Sequence, residues 1–195
     1  QWNHNPIDEA WSLTERPGFL RLKTNKIVSN VYAARNTISQ RMEGPRCSAS
    51  VTLDLRHMVD GDRCGLAAFN GHSGLLTIVR DGKSYKLVQS NTLVHLTDRE
   101  KAITGVDEDV VEQVDLKRCK KIQLRIDGDF TPGKDIATFY YKIGKGEWTP
   151  IGEPFKMQFD YRRLFMGTRY AIFNYATKQS GGYVDVDSFD YSREE

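Results

Sequence analysis

Long apolar runs are missing from this chain, and so is any imbalance of charge. No stretch approaches the ~20 consecutive apolar residues that a membrane-spanning helix needs, so no membrane partner is expected. With 28 Lys and Arg against 26 Asp and Glu, the formal charge is +2. That balance offers no bulk attraction to nucleic acid or anionic lipid. The best basic cluster, Lys117, Arg118, Lys120 and Lys121, sits beside a strand-like segment and suits a charged sheet edge that resists unwanted pairing. Cysteine is scarce and odd in number. Cys47, Cys64 and Cys119 cannot all pair within one chain, and without a CxxC or Cys-His arrangement they are expected as free, mostly buried thiols.

Catalytic signatures are lacking as well. The chain has no GxSxG elbow, no HExxH, no phosphate-cradling glycine loop and no dinucleotide fingerprint. Its four histidines, His4, His57, His72 and His95, follow no ligand spacing, and nothing calls for a cofactor. No secretory signal is visible and the chain opens on Gln1, so we expect a piece of something longer and leave its compartment open.

What the sequence does contain is short alternating segments. Cys47–Leu55 reads CSASVTLDL, with Ser48, Ser50, Thr52 and Asp54 on one face and Ala49, Val51, Leu53 and Leu55 on the other. This is the two-residue period of a half-buried strand. Asp60-Gly61 is expected to turn it back into Cys64–Phe69 as a hairpin, and Asp81-Gly82 marks a second hairpin. Gly144-Lys-Gly146 marks a third, which carries Trp148. Ala33–Met42 is ambiguous between helix and strand, and Asn36–Arg41 is taken as strand. Asp127-Gly-Asp129 is expected to turn the chain after Ile122–Ile126. Thr97–Val114, rich in Asp, Glu and Lys, has helical or disordered character and suits an inserted loop. About a dozen short strands without a linker or repeat predict one all-β domain over 1–195. The expected form is an antiparallel two-sheet jelly-roll sandwich of the concanavalin or laminin-G type.

Gly65–Asp81, GLAAFNGHSGLLTIVRD, is the candidate site. Two apolar runs flank a link containing two glycines that can bend sharply. At that bend Phe69 stands near Asn70 and His72, a ring for sugar C–H bonds beside an amide and an imidazole for hydroxyls. The competing reading makes Phe69 plain core. Trp2, Trp11 and Trp148 are alternative platforms, with Trp148 expected half exposed on its hairpin. Asn36, Gln40 and Tyr175 are further ligand candidates on the nearby sheet face.

For hydrolysis the nearest candidate is Asp185-Val-Asp187-Ser-Phe-Asp190. Asp185 and Asp187 would lie about 7 Å apart on a strand, against the roughly 5–5.5 Å carboxyl separation of retaining glycosidases. The distance does not forbid chemistry. Three short aspartates suit solvent contacts, loop hydrogen bonds or a structural Ca²⁺ better, and Asp187 is the metal candidate.

Several motifs together resemble the C-terminal β-sandwich of family 43 glycoside hydrolases, the β-xylosidases and arabinofuranosidases. They are Gln1-Trp-Asn-His-Asn-Pro6, Trp11-Ser-Leu-Thr-Glu-Arg-Pro-Gly18, Leu20-Arg-Leu22, Ala34-Arg-Asn-Thr37 with Gln40-Arg41, and Asp60-Gly-Asp62 leading to Gly65-Leu-Ala-Ala-Phe69. Phe173-Asn-Tyr-Ala-Thr177 and Gly181-Gly-Tyr-Val-Asp185 extend the match. Thr97–Val114 fits least. The resemblance implies a concanavalin-like jelly roll following a five-bladed catalytic propeller that is not in this chain. It further implies that Phe69 reaches the rim of the propeller's pocket, and that a detached copy serves as a xylan-binding module. A non-catalytic module for xylan or xylo-oligosaccharides is therefore the expected function. The alternatives are a structural domain completing the propeller rim through Phe69, and a free-standing glycosidase or lyase acting through Asp185 and Asp187.

Overall fold

A computed structural model describes residues 1–99, 102–164 and 166–194. Its fourteen strands are β1 (Trp11–Ser12), β2 (Leu20–Lys23), β3 (Ile38–Arg41), β4 (Arg46–Asp54), β5 (Arg63–Phe69), β6 (His72–Asp81), β7 (Ser84–Leu96), β8 (Ile103–Lys117), β9 (Lys121–Asp129), β10 (Ile136–Lys142), β11 (Thr149–Pro150), β12 (Phe155–Lys156), β13 (Arg169–Tyr175) and β14 (Tyr183–Arg193). Short 3-10 turns at Asp8–Ala10 and Val31–Ala33 are the helical elements among the described residues. The larger sheet runs β1-β2-β14-β4-β9-β10-β11, with β12 also on β10; the smaller runs β3-β13-β5-β6-β7-β8. Every strand pairing is antiparallel. This is the all-β, two-sheet sandwich that the alternation predicts.

Period-two patterning explains which faces meet. Ala49, Val51 and Leu53 of β4 pack with Leu124 and Ile126 of β9 and with Leu66, Ala68, Leu76 and Ile78 of the smaller sheet. This is the central core. The opposite face of the smaller sheet is apolar too. Ala67, Phe69, Leu75, Ala171, Phe173 and Tyr175 form a second buried cluster roofed by Val31, Tyr32 and Ala34. Strands buried on both faces read as near-continuous apolar runs, and β5 does so.

Four expectations are corrected here. First, β4 and β5 do not form a hairpin, because they belong to opposite sheets. Being buried on both faces, β5 takes β6 and β13 as its neighbours, and the chain crosses between layers through Leu55 and Met58, both buried. Second, Asp127-Gly-Asp129 is no turn. It completes β9 and pairs with both β4 and β10. Gly128 fits there because a Cβ would stand 2.7 Å from Met42 Cε. Third, the acidic segment Thr97–Val114 is mostly strand: β8 pairs along nearly all of β7, although Glu100 and Lys101 lie outside the described residues. Fourth, β3 is shorter than expected, and Ala33 falls in a 3-10 turn. All three cysteines are free, Cys47 and Cys64 buried and Cys119 half-buried.

Candidate functional site

The Asn70-Gly71 bend does join β5 to β6, but its residues face inward. Phe69 is 0 % exposed and packs against Tyr32, ring centroids 5.1 Å apart. The cause is a loop from thirty-odd residues upstream that lies over this face. The Tyr32 hydroxyl lies 2.7 Å from the Asn70 carbonyl, 2.7 Å from Ser73 Oγ and 3.1 Å from Thr92 Oγ1, which fixes the roof. Phe69 is therefore no open platform, a correction to the sequence reading. Asn70 is also fully buried: its Oδ1 accepts the Gly71 N–H at 2.8 Å and its Nδ2 donates to the Met166 carbonyl at 3.1 Å. His72 is half-buried and edge-on to Phe155 at 4.7 Å; burial and then the nearby Arg163 charge lower its pKa.

The remaining ligand candidates do not converge on this bend. Asn36 is a buried clip, its Nδ2 donating to the Lys23 carbonyl and its Oδ1 accepting the Asn174 N–H, at 2.9 and 3.1 Å. Tyr175 is buried, and its hydroxyl pKa is pushed up to about 12, chiefly by burial. Gln40 is exposed on β3. It lines a crevice of about 420 Å³ with Leu13, Phe19, Leu20, Ile38 and Phe189. That lining is mainly apolar, so it offers few partners to a polyol. Trp2 and Trp11 pack in a tilted pair, ring centroids 5.2 Å apart, both half-buried.

The acidic strand residues are held by cations. Asp185, its side chain 1 % exposed, accepts from Arg21 Nε at 2.8 Å and Nη2 at 3.1 Å, and from Arg16 Nη1 at 3.0 Å. Burial alone would raise its pKa, but the two guanidiniums outweigh it and the net shift is downward. Arg16 also bridges to Asp54 at 2.9 Å, and Asp54 pairs with Arg56. A carboxylate so clamped is ionised and spatially fixed, a poor proton donor for a leaving group. Asp187 sits at the irregularity between Val186 and Ser188 and pairs with Lys121. Among the described residues no three His, Cys, Asp or Glu side chains gather into a metal-binding group.

The outer face of the larger sheet is different: one end is closed by Arg16 over Asp54 and Asp185, but further along, Ser48, Ser50, Arg125, Asp127 and Thr138 stay only half-buried. Register sets its side chains in rows: Asp190, Ser50, Arg125 and Tyr140 lie across β14, β4, β9 and β10, with Ser192, Ser48, Asp127 and Thr138 in the next row. Arg125 and Asp127 form a two-point ion pair at 2.7 and 2.9 Å, and Ser48 Oγ donates to Asp127 at 2.7 Å. The Arg125 guanidinium lies 5.6 Å from the Tyr140 ring and 5.7 Å from that of Trp148, while Lys142 Nζ is 4.7 Å from Trp148. Each such contact contributes about 0.5–1 kcal/mol at an exposed site and orients the ring. Trp148 is half-buried, as its hairpin position predicts. A groove of about 630 Å³ runs beside these rows, its lining including Ser48, Arg125, Asp127, Lys134 and Thr138. Rings, hydroxyls and a self-neutralised ion pair on a rigid floor can receive a neutral polyol. Sequence reasoning offered Trp148 as an alternative platform but named none of its neighbours. Their alternation was visible; which polar face stays uncovered was not.

Comparison with known proteins places these features in a family context. The profile described as the beta xylosidase C-terminal concanavalin A-like domain matches residues 1–192. A beta-xylosidase of Formosa agariphila is 27 % identical over 98 % of this chain and 32 % of its own length. A solved bifunctional GH43-CE protein of Bacteroides eggerthii is 36 % identical, covering 100 % of this chain and 24 % of that one, with a TM-score of 0.86. A second solved structure, a GH43 glycoside hydrolase engineered for both endo-xylanase and exo-arabinofuranosidase activity, is 31 % identical over 98 % of this chain and 37 % of its own, with a TM-score of 0.87. The chain thus spans about a third or less of these relatives' lengths.

Proposed function

The chain belongs to the C-terminal concanavalin A-like domain family of the beta-xylosidases, and from that premise we propose that it is a non-catalytic carbohydrate-binding module for xylan or xylo-oligosaccharides. It would be appended to a hemicellulose-degrading glycoside hydrolase whose bond-breaking groups lie in a catalytic propeller of the same polypeptide. The observation that carries the non-catalytic part is Asp185, the first carboxylate of the acidic strand motif, buried between Arg16 and Arg21. Relatives named for xylosidase and xylanase activities support the choice of glycan. One or two rings and a few hydrogen bonds give weak affinity, roughly millimolar to tens of micromolar, once association costs are met. Calorimetry of the whole chain with xylohexaose tests this, alongside a turnover assay on the same sugar. Heat without cleavage is expected; no heat at millimolar sugar, or hydrolysis abolished by Asp185→Ala, overturns the reading.

A second reading, a structural domain that packs on the propeller, is favoured by Phe159 and Tyr161, which are 63 % and 64 % exposed. Exposed rings close in sequence suit an interface. On this reading they, rather than the enclosed Phe69, would make the contact. Loss of kcat/KM in the parent enzyme on Tyr161→Ala, with sugar binding by the isolated chain unchanged, would favour it.

A further inference from the structure

We propose that the saccharide chain lies across the strands on the outer face of the larger sheet, with Trp148 and Tyr140 as its platforms, rather than at the Asn70-Gly71 bend. This inference rests on the carbohydrate-binding reading above and specifies its site.

Three observations lead to it. First, availability: the outer face of the smaller sheet is roofed by Val31, Tyr32 and Ala34, whereas the larger sheet presents half-buried Ser48, Ser50, Gln123, Arg125, Asp127 and Thr138 to solvent. Second, charge: Arg125 and Asp127 satisfy one another in parallel, and Lys134 and Arg46 are similarly engaged by Asp129. Apart from Lys142, which faces the Trp148 ring, the cations of these rows are already matched by carboxylates, which leaves little surplus for an acidic ligand and favours a neutral one. Arg125 and Ser48 already donate three hydrogen bonds to Asp127, which leaves about one of a carboxylate's four acceptor sites for a sugar hydroxyl. Third, spacing: neighbouring strands stand ~4.8 Å apart, close to the advance of one pyranose in an extended β-1,4-linked chain. The row Ser192, Ser48, Asp127, Thr138 therefore repeats a polar group about once per sugar, and Tyr140 and Trp148 border that row at its β10 end. A linear, neutral β-1,4 pentose or hexose chain fits this ruler; a branched or acidic one fits it less well.

The test uses the whole chain and xylose oligomers of two to six units, followed by calorimetry, with cellohexaose and oligogalacturonate as neutral and acidic comparisons. Affinity is expected to rise with each unit up to about four, one for each strand crossed, and then level off. Oligogalacturonate is expected to bind at least tenfold more weakly than xylohexaose. Trp148→Ala should weaken xylohexaose at least tenfold, Trp148→Phe less so, and Asp127→Asn by an intermediate factor. His95→Ala, on the smaller sheet, should leave binding unchanged. Unfolding midpoints for each variant separate lost contacts from lost structure, and Trp148→Phe preserves a ring on the hairpin. If Trp148→Ala and Tyr140→Ala fold and bind as the native chain does, this placement is overturned while the carbohydrate-binding reading stands. If the native chain binds none of the neutral oligomers, both are overturned.

Discussion

Tyr32 lies over Phe69 with its ring centroid 5.1 Å away, and its hydroxyl reaches three oxygens on the far side of the bend. One side chain thus both shields the apolar ring and anchors the loop that carries it. Tyr32→Phe keeps the shield and removes the anchor, leaving buried oxygens with fewer partners. Its expected cost is about 1–3 kcal/mol in urea unfolding. Tyr32→Ala should cost more, about 3–5 kcal/mol by analogy with large aromatic truncations, and should expose Phe69 to an apolar dye. Equal stability of the two variants would show that the hydroxyl does not hold the roof.

Breaking the arginine clamp has a different signature. Asp185→Asn leaves Arg21, its side chain 14 % exposed, without its buried countercharge. Removing one partner of a buried pair costs about 3–5 kcal/mol, and the lower end is expected because Arg16 and Arg21 both reach water. Saccharide binding should not change, since the clamp lies among β2, β14 and the end of β4. Denaturation and calorimetry on the same variant check both halves.

Asp62 governs the neutral-pH side of stability. It is fully buried; its Oδ2 accepts the Val59 N–H at 2.9 Å and its Oδ1 has no hydrogen-bond partner. Desolvation, partly offset by that N–H, raises its pKa from 3.8 to about 6. The folded state therefore holds this proton more tightly than the unfolded chain. The stabilisation is complete below the unfolded value and is lost as pH rises through about 6. Asp62→Asn, which cannot ionise, should remove that loss and raise the melting temperature at pH 8 relative to the native chain. An unchanged pH slope between 4 and 7, compared with the native chain, would refute the assignment.

On the acid side the sign reverses. Asp54 is held below its ordinary range by the Arg56 hydrogen bond and by Arg16, Asp185 by its two arginines against burial, and Asp160 at about 2 by Arg162 and Arg163. Their stabilisation is present above the unfolded value and disappears as pH falls through the folded ones. Together with Asp62, this makes stability fall away on both the acid side and the neutral side of a mildly acidic maximum. A melting-temperature profile from pH 2 to 9 measures it directly.

Two glycines differ in what a methyl group would meet. At Gly65 it would stand 1.8 Å from the Leu76 carbonyl oxygen, a backbone atom that cannot move without parting β5 from β6; at Gly128 the nearest atom is the flexible end of Met42. Gly65→Ala should therefore be much the more damaging, beyond the roughly 1–3 kcal/mol typical of overpacking, and Gly128→Ala should fall within that range. Soluble yield and urea midpoints rank them.

Strands were the legible part of this chain, because alternation in β4 and turn pairs such as Asp81-Gly82 write the backbone into local sequence. What was not legible depends on distant cover. Phe69 stands next to a flexible bend in sequence, yet Tyr32, thirty-seven positions earlier, decides its exposure. β8 escaped because an edge strand has only one neighbour. With most of its side chains exposed it has no apolar face to alternate, and its composition looks like that of a loop. The polar rows of the larger sheet were written plainly enough, but their vacancy is a property of the whole fold.

That fifteen-residue β8 margin carries Asp107, Glu108, Asp109, Glu112 and Asp115 against a single Lys117. Two molecules meeting rim to rim would bring like charges together just where their free amides and carbonyls could otherwise zip into a continuous ribbon. The protection is electrostatic, so it weakens as salt shortens the Debye length. Crowded solutions of this domain should stay dispersed at low ionic strength and begin to associate along this border when salt is raised.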